Sequence, residues 1–84
     1  MILFQKIINQ KLNSISVEEL LQYAKQFNVA IDRTQAAKVV SIINGQNINL
    51  FNHVERKQLL NQIAAITSPE TANEVNAIFQ KFIK

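Results

Sequence analysis

The chain has 84 residues, a net charge of +3, 48% apolar residues and only 18% charged ones. That is one domain with enough apolar material for a core, and the opposite of the polar, highly charged composition of a disordered chain. With no cysteine, disulfides, thiolate catalysis and cysteine-ligated zinc are excluded together.

The missing charge is replaced by amide side chains. Ten Asn and nine Gln are spread among apolar residues and form no tracts, so the chain is not of low complexity. The start, MILFQKIINQK, is apolar for only four residues before Lys6. It has neither the basic leading region nor the apolar run of about 7–15 residues of a signal peptide. No run approaches the roughly 20 apolar residues of a membrane span. A cytoplasmic protein with no membrane partner is expected.

One Gly and one Pro leave little material for hairpins, and the apolar spacing is helical throughout. A first helix over about 2–12 carries Leu3, Phe4, Ile7, Ile8 and Leu12 on one broad face. Ser16 with Glu19 three residues later is a capping box opening a second helix, with Leu20, Leu21, Tyr23, Ala24 and Phe27 inward and Asn28 as a left-handed stop. Asp32 with Gln35 repeats the device for a third helix facing inward with Ala36, Val39, Val40 and Ile43, ended by Gly45.

The segment QNINLFN follows, a connection whose Ile48, Leu50 and Phe51 should pack on the core. Asn52 with Glu55 opens a fourth helix buried through Leu59, Leu60, Ile63 and Ala64. Ser68 and Pro69 start a fifth with a stripe of Ala72, Val75, Ile78, Phe79 and Phe82. The fold class is therefore all-α: residues 1–84 form a single small domain of five short helices with a helix-turn-helix-like central hairpin. Leu20, Phe27, Val40, Ile63, Val75 and Phe79 lie near the centres of their faces and should be buried.

The carboxylates already have structural positions. Glu18, Glu19, Asp32, Glu55 and Glu70 fall at caps or in first turns, where they complement the positive end of the helix dipole, and Glu74 sits one turn further in. None is left to form an acid/base pair. His53 is the only histidine, without a second ligand or a nucleophile. Phosphate-binding, dinucleotide-binding and zinc-protease motifs are absent from the sequence. The expectation is a non-enzymatic chain with no cofactor and no metal.

Three surfaces remain as candidates. Arg56 falls within the arc of Leu59, Leu60 and Ile63, where it either contacts an anion or a partner's carboxylate or, the simpler reading, snorkels from the first turn. Segment 17–43 spaces two helices somewhat like a DNA reader, with Arg33, Thr34, Gln35 and Lys38 as nucleic-acid contacts. Its connection is too long, lacks glycine and adds an apolar Ile31, and the nine basic residues are scattered over the chain. Phe4 and Ile8 near one end, with Phe82 and Ile83 at the other, form a broad apolar surface for a protein partner or a second copy.

The runs SVEELLQYAKQF, TQAAKVVSII and SPETANEVNAIFQKF resemble a family of small helical proteins from low-GC Gram-positive bacteria. The resemblance covers most of the chain through helix-packing segments. It implies a short cytoplasmic helical protein and, since that family has no assigned activity, carries over no functional residue. The leading expectation is a protein-interaction module; the alternative is a weak nucleic-acid-binding domain.

Overall fold

The computed structural model describes the main chain of residues 2–83 and the side chains of residues 5–83. Five helices follow one another: α1 Ile2–Asn13, α2 Val17–Gln26, α3 Arg33–Ile43, α4 His53–Ile66 and α5 Pro69–Ile83. No strand occurs among the described residues, and the fold is all-α.

The starts of α2 to α5 are fixed by side chains that satisfy free main-chain N–H groups, each such cap contributing about 1 kcal/mol. The Ser16 hydroxyl accepts from Glu19 N at 3.1 Å while the Glu19 carboxylate accepts from Ser16 N at 3.0 Å. Asp32 accepts from Gln35 N at 2.8 Å, and the Gln35 carboxamide accepts in return from Asp32 N at 3.0 Å. Ser68 accepts from Thr71 N at 3.0 Å, with Pro69 supplying a first helical residue that needs no donor.

The fourth cap is only half of the expected pair. Asn52 accepts from Glu55 N at 3.0 Å, but the Glu55 carboxylate turns to Asn49 N, at 3.1 Å, in the preceding connection.

The helix ends are equally specific. Asn28 adopts φ 58°, Val29 N donates to Ala24 O at 2.7 Å, and Asn28 N donates to Lys25 O at 3.3 Å. This is the double bond pattern that closes a helix through one left-handed residue. Gly45 takes the same region, φ 86°, after α3. Asn47 does so as well, at φ 52°.

The core is drawn from every helix and from two connections. Leu20, Val39, Ile43, Leu50, Leu59, Ile63, Val75, Ile78 and Phe79 are its fully enclosed large side chains. Five of the six positions expected to be buried are so; Phe27 is not. It is half-buried because it caps the C-terminus of α2, where its ring stacks on Tyr23 and meets the edge of Phe82 at the margin of the core.

The closest helix–helix approaches are α4 with α5 and α3 with both α2 and α4. The first helix is held differently. Leu12 is buried, as is Ile15 just beyond the helix, and the polar residues between the apolar positions of α1 bind the connection 44–52.

The Asn13 carboxamide accepts from Ile48 N at 2.8 Å and donates to Ile48 O at 2.9 Å. One turn earlier, Asn9 accepts from Leu50 N at 2.8 Å and donates to the side chain of Asn49 at 2.9 Å. Arg56 donates to Leu50 O at 2.9 Å, and Asn49 accepts from Phe51 N at 3.1 Å. An irregular segment with no sheet partner thus finds most of its hydrogen bonds in side chains, which allows Ile48 and Leu50 to be buried.

Two substitutions separate these contributions. Phe79→Ala should destabilise the domain by about 3–5 kcal/mol, the usual cost of truncating an enclosed phenylalanine. Asn13→Ala should cost about 1–2 kcal/mol, because water in the adjoining cleft can replace part of what the carboxamide supplies. Urea denaturation of the two variants checks both values, and a larger loss for Asn13→Ala than for Phe79→Ala would contradict this assignment.

Candidate functional site

On the side of α1 away from the 44–52 ladder, a groove of about 310 Å³ opens between α1, α2 and α5. Its α1 wall is Ile7, Ile8 and Leu12, its α2 wall Tyr23, and its α5 wall Phe82. Leu50 and Ile15 also line it, and Lys11 and Glu19 are the two charged residues at its edge. The sequence explains the groove. The apolar face of α1 is about 180° wide, more than one neighbouring helix covers. Ile7 accordingly stays 51% exposed.

The aromatic wall is pre-ordered. Tyr23 and Phe82 meet edge to face with ring centroids 5.0 Å apart, and Phe27 completes a triangle of rings, 6.3 Å from Tyr23 and 6.1 Å from Phe82. Such pairs add about 0.5–1.5 kcal/mol beyond the area they bury.

Of the four residues expected to form a partner surface, Ile8 and Phe82 line the groove. Ile83 packs, half-buried, against the core. The side chain of Phe4 lies outside the described residues. Ile7, Tyr23 and Leu50 complete the site and were missed. Ile7 was legible from the breadth of the α1 face, whereas Leu50 arrives through a tertiary connection with no local signature.

The helix-turn-helix-like segment presents less than its sequence suggests. Glu18 accepts from Arg33 at 2.8 Å, both side chains being 66% exposed. The hydrogen bond from Arg33 holds the Glu18 carboxyl below its ordinary pKa, helped by a main-chain hydrogen bond and by the nearby positive charge. Gln35 is half-buried: its oxygen completes the Asp32 cap, and its nitrogen donates to Thr71 at 2.9 Å. Thr34 and Lys38 are exposed. Ile31, in the connection, packs against the core, and Ala30 N is bound by Glu74 at 3.1 Å.

Arg56 is half-buried at the start of α4. Besides Leu50 O it reaches His53 Nδ1 at 3.2 Å. Since guanidinium only donates, this contact fits the imidazole tautomer with its proton on Nε2. Among the described residues no three His, Asp or Glu side chains gather as a metal site would require. A second, open cleft of about 730 Å³ runs along the other side of α1 past Lys6, Asn13 and Asn47. The Asn13 carboxamide in that cleft is already engaged by the main chain of Ile48.

Residues 1–83 match DUF2624, a family described as proteins of unknown function. The chain belongs to that family. It is 48% identical over 82 residues to the uncharacterized protein YqfT of Bacillus subtilis (strain 168), covering 98% of each chain. No solved structure matches. No helix among the described residues is long and apolar enough to cross a membrane.

With Arg33 and Gln35 engaged within the chain, nucleic acid should bind weakly and without sequence preference. In a fluorescence titration at physiological salt, dissociation constants should stay above about 1 μM for any DNA sequence. A tight, sequence-selective complex abolished by Arg33→Ala or Lys38→Ala would reverse that conclusion.

Proposed function

We propose that this chain is a non-enzymatic, cytoplasmic protein-interaction module whose groove between α1, α2 and α5 receives one amphipathic helix of another protein. The observation that carries this reading is the groove itself: an apolar trough with an ordered aromatic wall and an isoleucine left half in solvent at its edge. Helix-in-groove recognition uses these features, the partner inserting side chains at i, i+3, i+4 and i+7.

Charge selects the kind of helix. Residues 1–17 and 75–84 contain Lys6, Lys11, Lys81 and Lys84 and no Asp or Glu. At the groove itself Lys11 stands on the α1 edge and Glu19 on the α2 edge, so the α1 side favours carboxylates beside the partner's apolar stripe, and complementary charge speeds encounter as well as selecting the partner. The same distribution disfavours a second copy, because a two-fold contact through α1 would bring lysine-bearing surfaces together. The alternative of a weak nucleic-acid-binding domain using segment 17–43 has less support, since Glu18 already neutralises Arg33.

Tyr23 is the only tyrosine, and tryptophan is absent, so its emission reports directly on the groove. The probe is a designed peptide without aromatic residues, with a leucine stripe at helical spacing and glutamates on both flanks. It should change Tyr23 emission saturably and bind at least about tenfold more tightly than a lysine-flanked version, a difference of about 1.4 kcal/mol. Ile8→Asp should abolish the response while leaving helicity intact. Equal binding of both peptides would remove the charge argument, and no binding of either would remove the groove. Sedimentation at micromolar concentration should find a monomer; a dimer broken by Ile8→Asp would assign the groove to a second copy.

A further inference from the structure

The end of α3 carries a feature unconnected with the groove. Asn44 precedes Gly45, the only glycine, so it is the one asparagine whose following residue has no side chain to shield the intervening amide nitrogen. Both residues are exposed. Gly45 has φ +86°, and nothing lies within 4 Å of where a Cβ would stand. Among the described residues, no hydrogen bond holds the Gly45 N–H or the Asn44 carboxamide. The carboxamides of Asn9, Asn13, Asn49 and Asn52 are, by contrast, all engaged.

We propose that Asn44–Gly45 is a site of spontaneous covalent modification, the asparagine converting to aspartyl and isoaspartyl through a cyclic imide. Solvent hydroxide takes the proton of the Gly45 amide, and that nitrogen attacks Asn44 Cγ. The new N–Cγ bond closes a five-membered succinimide. The Cγ–Nδ2 bond breaks, and the nitrogen leaves as ammonia with a proton from water. Water then opens the ring. Addition at Cγ restores the normal main chain with an aspartyl residue. Addition at the Asn44 carbonyl carbon leaves Gly45 joined through Cγ, an isoaspartyl linkage. Nothing is oxidised or reduced: one amide and one water become one carboxylate and one ammonium.

The fold permits the approach. Asn44 stands at φ −60°, ψ 129°, and attack requires rotation about its Cα–C bond. The main-chain bond directly across this peptide is Gln46 N to Ile43 O, a long one at 3.3 Å. The glycine tolerates the torsions that the rotation imposes on it. The product has a consequence, because the new negative charge stands at the negative end of the α3 dipole. The isoaspartyl form also lengthens the main chain just where α3 passes into the connection 44–52.

The test incubates the folded full chain in mildly alkaline buffer and localises amide-to-acid mass gains by tandem mass spectrometry. The expected result is conversion at Asn44, resolved chromatographically into two isomers, with the other nine asparagines unchanged. Asn44→Gln, checked for intact helicity by circular dichroism, should remove the mass gain, because its longer side chain closes a ring far more slowly. A parallel sample in urea separates the fold from the dipeptide. If Asn44 converts in urea but stays an amide in the folded chain, or if another asparagine converts first, the proposal is wrong.

Discussion

Two asparagines one helical turn apart hold this structure together where its helices do not. Asn13 exchanges two hydrogen bonds with the main chain of Ile48, and Asn9 accepts from Leu50 N two residues further on. In a sheet the neighbouring strand would supply those partners; here a helix does, through side chains one turn apart. Each bond contributes only about 0.5–1.5 kcal/mol net, but the alternative is main-chain groups buried without partners, at about 1–3 kcal/mol each. Ile48 and Leu50 reach the core because that alternative is avoided.

The position of α1 follows from the same contact. Helices α2 to α5 pack on one another in sequence, and α1 comes to them largely by way of the connection it binds. Its polar edge faces residues 48–50, which turns the remainder of its broad apolar face towards α2 and α5. Leu50, delivered by the ladder, lies on both sides of the problem: enclosed in the core and lining the groove. A groove built this way has walls from three helices and a floor from a loop. Its shape therefore depends on the hydrogen bonds that hold the main chain of Leu50, to Asn9 and from Arg56.

Much of this was legible in the sequence, and the division is physical. Ser16, Asp32, Asn52 and Ser68 were readable as helix starts because a cap is a local device spanning four residues. Asn28 and Gly45 were readable as stops for the same reason. The destination of the Glu55 side chain was not, since the path of the connection engages Asn52 N with Asn49 O and leaves Asn49 N for the carboxylate. Phe27 was placed too deep because helical periodicity gives the face of a residue but not its distance from the end of the core. The Asn9–Asn13 pair was the largest omission. Amides at i and i+4 on an amphipathic helix carry a periodic signal, but their partners lie 35 and 41 residues away, and no local pattern points to them.

The composition has a reason in this architecture. A carboxamide both donates and accepts, so a single Asn13 serves the N–H and the C=O of the same residue. A carboxylate could serve only the N–H, and a lysine only the C=O. Either would also place a charge beside the buried Ile48, where desolvation opposes it. A chain that secures its connections with side chains therefore favours Asn and Gln in those places. Carboxylates are kept mainly where an N–H alone needs a partner: at Ser16 N for Glu19, Ala30 N for Glu74 and Asn49 N for Glu55. The six acidic residues all lie between residues 18 and 74. The acids are thereby drawn into the middle of the sequence by the need to bind main-chain donors, and the lysines of α1 and of the end of α5 are left without nearby acids in sequence. The basic character of α1 and of the end of α5 in the sequence thus follows from how the connections are held.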